Sequence, residues 1–278
     1  MNRNELFERI TQQIKAKLEE GVLPWRKSWE MGVPCNFITK NPYRGINFIM
    51  LLLNNYPSPY YISFLQCKQK QGMINKGAHG SQIIYYEVKK YPDRKDPEKL
   101  KNIPILRYST VFNLSQTSLY KSDIEEKTKI LSCEEVISNM NPKPVIKNNI
   151  GHCYYAPADD YISIPAIQDF DSSGEYYSSL FHELVHWTGS EKRLNRLPSV
   201  KDANTKSYEE LVAELGSSFL CGVCGIESSV IDNQSSYIGS WLKGLDGNPM
   251  MFVNASVAAT KAVSFILGNS DPTNNLVN

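Results

Sequence analysis

The chain has 278 residues, 41% of them hydrophobic and 21% charged, with 30 Lys and Arg against 29 Asp and Glu for a net charge of +1. No apolar run is long enough to span a bilayer, the N-terminus lacks the apolar core of a signal peptide, and six irregularly spaced cysteines make no disulfide framework. A cytoplasmic chain with no membrane partner is expected.

The near-neutral total hides two opposite halves: residues 1–121 carry 19 Lys and Arg against 9 Asp and Glu, a net of +10, and residues 122–278 carry 11 against 20, a net of −9. Such a step suggests that the first half binds a polyanion while the second does something else. The length supports one large or two ordinary cores, and the charge step favours two.

Residues 4–20 predict an amphipathic helix with Leu6, Phe7, Ile10, Ile14 and Leu18 on one face and Gly21 after its end. Cations then alternate with rings in Pro24-Trp25-Arg26-Lys27-Ser28-Trp29, Asn41-Pro42-Tyr43-Arg44-Gly45-Ile46-Asn47 and Arg107-Tyr108-Ser109-Thr110-Val111-Phe112-Asn113. Bases stack on such rings for roughly 1–3 kcal/mol each while Lys and Arg follow the phosphates, a combination suited to single-stranded DNA. The candidate strand contacts are Trp25, Arg26, Trp29, Tyr43, Arg44, Asn47, Lys76, Tyr108 and Asn113. Trp25, Trp29, Tyr43 and Arg44 lie beside Pro and Gly in turn-like segments and are expected at a surface, whereas Phe48, Phe64 and Phe112 are expected in the core of a small α+β domain.

Residues 46–53 read as a short helix or strand, and 83–88 and 105–112 as strands. Residues 75–80 form a turn from which Lys76 reaches a phosphate; His79 there is a poor metal ligand. The charged run 89–102, with Pro92 and Pro97, is expected as an exposed loop. Residues 115–132 are polar and hold the linker. The domains are drawn as 1–121, a linker at 122–132, and 133–278.

In the acidic half, residues 154–157 and 160–165 alternate like a hairpin. His182-Glu183-Leu184-Val185-His186 follows, framed by Tyr177, Leu180 and Phe181 at helical spacing and by Gly189 as a stop. Imidazoles four apart on one helical face can share a metal ion, with Glu183 within reach of a water on it, which is the pattern for metal-assisted hydrolysis of a peptide bond. One Zn2+ per chain is expected, with Glu183 as the base. A three-histidine set is excluded because position 192 is Lys192. A second helix over 207–220 places Glu210 and Glu214 on one face. Glu210 is assigned as the third ligand and Glu214 as the carboxylate that fixes the tautomer of His182. The alternative is that Ser207 and Glu210 form a capping box and Glu214 ligates. Tyr208 and Tyr237 are candidates to steady the oxyanion. Cys221-Gly-Val-Cys224 has no second CxxC and reads as buried thiols. Residues 236–245 and 255–267 look helical, and the tail from 268 is expected to fray.

The Pro24-Trp25-Arg26 segment ending at Trp29, Pro42-Tyr43-Arg44-Gly45-Ile46-Asn47, Val111-Phe112-Asn113 with Gln116, Phe181 to Gly189, Arg193-Leu-Asn-Arg196 and Glu209-Glu-Leu-Val-Ala-Glu214 together make the chain resemble ArdC-type antirestriction proteins of mobile elements. The resemblance spans nearly the whole chain. It implies an N-terminal domain that binds single-stranded DNA and a C-terminal zincin metallopeptidase domain. It further implies protection of incoming DNA during transfer. The sequence itself leaves the protein substrate open among a host restriction component, a protein crosslinked to DNA and the chain itself. A DNA-coating shield, or a priming accessory with a structural metal, is the alternative. The sequence departs from its relatives at Ser190, where histidine is frequent, and at Tyr60-Tyr61-Ile62, where tryptophan is usual.

Overall fold

A computed structural model describes residues 3–26, 33–54, 56–92, 100–120, 132–149, 151–197, 203–226, 234–248 and 250–268. It separates into two compact units: one takes the described residues up to Val33 together with those after Ile124, the other takes the residues from Pro34 to Ile124. Helices and strands are mixed in both.

Helix α1 (Arg3–Glu19) buries Ile10, Ile14 and Leu18, spaced one turn apart, and ends where Gly21 adopts φ +74. A 3-10 turn, Pro24–Arg26, then carries Trp25 into the core of the first unit. These first residues were expected with the basic half. They pack with the C-terminal half because the face of α1 and the Trp25 ring find their apolar partners there.

The second unit is built from β1 (Cys35–Asn36), α2 (Gly45–Leu53), β2 (Tyr60–Ser63), α3 (Phe64–Gln69), β3 (Ser81–Pro92) and β4 (Leu100–Asn113). The sheet order is β1-β2-β4-β3; β1 and β2 run parallel and the remaining pairs antiparallel. Side chains alternate between its faces. Tyr61, Ile83 and Val111 pack with Tyr43 and Leu51 on one face, while Tyr60, Ile62 and Leu114 pack with Cys67 of α3 on the other. Both faces of β2 are therefore covered, so it reads as an unbroken apolar run. Residues 93–99 of the expected loop 89–102 lie outside the described residues; its two ends are a correction. Lys89 pairs with Ile103 and Pro92 with Leu100, so ladder pairing extends the hairpin through residues whose composition suggested a loop.

The rest of the first unit comprises α4 (Cys133–Ser138), β5 (Val145–Asn149), β6 (Tyr154–Ala156), β7 (Tyr161–Pro165), α5 (Ser173–Thr188), α6 (Ala203–Cys224), α7 (Gln234–Gly247) and α8 (Met251–Ile266). The sheet order is β5-β7-β6, with β5 parallel and β6 antiparallel to β7. Central β7 buries Ile162 and Ile164, and β6 and β7 contact α5. Phe181, Leu184 and Val185 of α5 and Leu211, Val212 and Leu220 of α6 are fully buried, each contributing about 1.5–3 kcal/mol. The small residues Ala255, Ala259 and Ala262 line the buried side of α8, which packs on α6. All six cysteines are free thiols, with Cys221 and Cys224 buried.

Candidate metal centre

Helix α5 starts under Ser172, whose hydroxyl accepts from the Glu175 N–H at 3.1 Å. It stops at Gly189, whose φ of −75° needs no glycine. Space is the reason for glycine there. A Cβ would stand 2.9 Å from Leu197 Cγ and 3.0 Å from Arg196 Nη2. The chain turns back on itself at this point, with the N–H groups of Arg196 and Leu197 both donating to Gly189 O at 2.8 and 2.9 Å. That turn delivers Arg196 to the junction of α5 and α6.

His182 and His186 project from one side of α5 and Glu210 from α6. His182 Nε2 and His186 Nε2 are 3.0 Å apart, and Glu210 Oε2 lies 3.4 Å from the first and 3.7 Å from the second. Donors about 2.0–2.1 Å from a tetrahedral ion stand roughly 3.3 Å from one another, so this triangle has the size that one small divalent cation requires. The charges agree. Burial alone would depress the His186 imidazole, but Glu209, Glu210 and Glu183 around it lift it to about 10. Burial would raise Glu210, and the two imidazoles instead hold it well below the ordinary carboxylate range. A half-buried cluster this rich in carboxylates calls for a cation.

Helix α6 begins at Ala203, so Ser207 lies inside it and is not an N-cap. The capping-box alternative for Glu210 is thereby removed. Ser207 instead hydrogen-bonds the Ser240 hydroxyl and offers its carbonyl to Trp241 Nε1 at 2.9 Å. Glu214 lies behind the site, 3.9 Å from His182 Nδ1, a buried nitrogen without a hydrogen-bond partner.

His186 has a closer orienting group that sequence reasoning missed. Its Nδ1 is 3.1 Å from Glu209 Oε1, and Arg196 grips both oxygens of Glu209 at 2.8 Å while also donating to Val185 O at 2.7 Å. With its Nδ1–H donated to Glu209, the His186 ring would offer Nε2 to a bound cation, which displaces the proton that the carboxylates otherwise keep on the ring. The signal was the Glu209-Glu210 doublet together with Arg196.

Glu183 is 8% exposed on the same helix. Burial and the nearby Glu183 push the Cys153 thiol up to about 11. Tyr208 is half-buried beside Glu209 and Arg196, its hydroxyl raised chiefly by burial; the Tyr237 side chain lies outside the described residues.

Several of the expected strand contacts are structural. Trp25 is 0% exposed, packed on Trp241 and Phe252 at centroid distances of 5.7 and 5.5 Å. Tyr43 is buried edge-on against Tyr61, and burial pushes its hydroxyl up to about 12. Asn47 uses both ends of its amide on the edge of β3, donating to Ile84 O and accepting from Ile84 N–H, each at 2.8 Å. Asn113 is fully buried, capping the 3-10 turn Leu114–Gln116 and donating to Ser58 O at 2.7 Å. A turn-forming sequence placed the two rings near Pro and Gly, but the core claimed them. Arg44 is half-buried, and burial lowers its pKa. Lys76 and Tyr108 are exposed. Trp29 and the Arg26 side chain lie outside the described residues. Phe64, expected in the core, is 58% exposed.

An HExxH helix packed on a small mixed sheet, with a glutamate from the following helix completing three convergent donors, defines the zincin class of metallopeptidase folds. Residues 133–258 match the family model of zincin-like metallopeptidases, and residues 4–112 match that of the N-terminal domain of anti-restriction factor ArdC. The metal-free crystal structure of the antirestriction ArdC protein from the R388 plasmid is 30% identical, with a TM-score of 0.79, covering 95% of this chain and 97% of that one. Its Mn(II)-bound structure is 31% identical, with a TM-score of 0.76 and coverage of 96% and 98%. The chain belongs to the ArdC family. It is also 29% identical, over 95% of its length, to an Escherichia coli protein named DNA primase TraC, of which it spans 27%. An uncharacterized protein of Sinorhizobium fredii is 23% identical over 94% of this chain and 91% of its own length. Among the described residues no single helix is long and apolar enough to cross a membrane.

Proposed function

We propose that this is a plasmid-type antirestriction protein that binds single-stranded DNA through its basic second unit and cleaves a protein substrate at the His182, His186 and Glu210 centre. The convergence of those three donors beside Glu183 is the observation that carries the reading. Two imidazole nitrogens and one carboxylate oxygen suit zinc, and the same set accepts manganese. When bound, the cation would polarise the scissile carbonyl and acidify a water. Glu183, on the same helix as both histidines, would act as the base toward that water and return the proton to the leaving nitrogen. Glu209 and Arg196 hold His186, and the buried flanks of α5 keep the donors in place. Incoming DNA arrives in the cytoplasm, where such a protein would act, and a host restriction component is a fitting substrate.

The test loads the purified protein with Zn2+ or Mn2+ and measures cleavage of a generic protein substrate, with and without single-stranded DNA. Glu183→Gln should keep the metal and lose cleavage. Absence of cleavage by the metal-loaded, unaltered protein under every condition would sink the peptidase part. A second reading, a DNA-handling module with a structural metal, is favoured by the proteins named DNA primase in which a segment similar to this chain makes up about a quarter of the length. It predicts strand binding unaffected by Glu183→Gln and no cleavage by either form.

A further inference from the structure

The three most exposed large apolar side chains among the described residues fall within one short segment of the second unit: Phe64 at 58%, Leu65 at 69% and Met73 at 72%. On α3, Cys67 is the buried residue, while Phe64, Leu65 and Lys68 are exposed and share one arc of about 100°. A neighbouring turn is tied to α3 through Gln66. Asn36 Nδ2 donates to Gln66 Oε1 at 3.3 Å, and that turn carries exposed Ile38 and Lys40, with Lys40 Nζ 3.9 Å from the centroid of Tyr60 and 4.8 Å from that of Phe37.

Charge decides what such a surface fits. Between Glu30 and Glu87 the sequence holds no acidic residue, while it holds Lys40, Arg44, Lys68, Lys70 and Lys76. A hydrophobic protein interface would not call for an acid-free stretch of this kind. Bare rings and aliphatic side chains among lysines, with no carboxylate to repel a phosphate, match the needs of an unpaired nucleic-acid strand, whose bases offer apolar faces and whose backbone is anionic.

We infer that the strip formed by Phe64, Leu65 and Lys68 of α3, flanked by Met73, Ile38 and Lys40, is the surface on which single-stranded DNA docks, with a base stacked on the Phe64 ring. This rests on the strand-binding reading above and replaces the buried Trp25 and Tyr43 as the stacking platform. Because the side chains are exposed, truncating them leaves the core intact.

The test uses the full chain and a fluorescein-labelled oligo-dT in fluorescence anisotropy. Phe64→Ala with Leu65→Ala should weaken binding about tenfold. The gap between variant and unaltered protein should close on an abasic oligonucleotide, which has phosphates and no bases to stack. Lys40→Gln with Lys68→Gln should flatten the dependence of affinity on salt. If the unaltered protein does not bind oligo-dT, the strand-binding reading itself fails. If it binds and the Phe64, Leu65 variant binds equally well, the reading stands and this surface is wrong. A variant that changes only the oligomeric state, with strand affinity kept, would identify the patch as a contact between copies of the chain and overturn the proposal.

Discussion

Arg196 meets four acceptors at once: both oxygens of Glu209, the Val185 carbonyl and the Thr188 hydroxyl. Glu209 is 7% exposed, so removing the guanidinium would strand a buried carboxylate and release the ring it orients. Arg196→Gln and Glu209→Gln are each expected to weaken Zn2+ or Mn2+ binding by roughly 10- to 100-fold in chelator competition, with circular dichroism unchanged. Arg193→Gln is the contrast. Arg193 lies over the Trp187 ring at 3.9 Å and binds Asp160, away from the donors, and should lower stability while sparing the metal. Metal affinity unchanged in Arg196→Gln would mean that His186 needs no such support. The donors were legible in the sequence because residues four apart on a helix share a face whatever the helix packs against. Glu209 was not. Adjacent helical residues point about 100° apart, and only the crossing of α5 and α6 decides which of the doublet meets His186 Nδ1 and which the centre.

That crossing depends on Gly216. A Cβ there would lie 2.7 Å from Val185 Cγ2, in the middle of the α5 and α6 contact. Gly216→Ala gains about 1 kcal/mol of helix propensity but forces apart two helices that each carry donors. A net loss of about 1–3 kcal/mol in denaturant unfolding is expected, together with weaker metal binding. A second joint ties the β6 to β7 turn to the loop after α5. The hydrogen bonds of Arg193, helped by Tyr155, hold the Asp160 carboxyl down at about 2 against an ordinary 3.8. A carboxylate depressed in the folded state stabilises above its unfolded pKa and loses that contribution as pH falls through the folded one. Solvent screens part of this pair, so Asp160→Asn should cost on the order of 1 kcal/mol at pH 7, and the gap should narrow as pH drops from about 4 to about 2, read by urea midpoints. Strongly periodic elements such as α1, α5 and α6 were readable in advance. The outer half of the β3 and β4 hairpin was not, since its residues are charged and proline-bearing and only cross-strand pairing makes them strands. Nor was the fate of Trp25, which depends on Trp241 and Phe252, more than two hundred residues away.

At the scale of the whole chain, the charge step separates two regions by sequence: an acid-free stretch in the second unit and a carboxylate-rich centre in the first. Carboxylates would attract a cation and repel a phosphate backbone, so under the proposed function a bound strand would stay out of the metal centre. Glu183 should then be dispensable for strand affinity, and a Glu183→Ala chain offers a clean separation of coating from cleavage. If protection of transferred DNA requires proteolysis of a host factor, Glu183→Ala will bind oligo-dT and metal as before, yet transfer into a restricting recipient will fall to the level seen without the protein. If coating suffices, transfer will be fully protected, and the Phe64→Ala, Leu65→Ala chain will be the one that fails. Both variants assayed side by side, in restricting and non-restricting recipients, assign protection to one unit or the other, because each leaves the opposite unit's residues untouched.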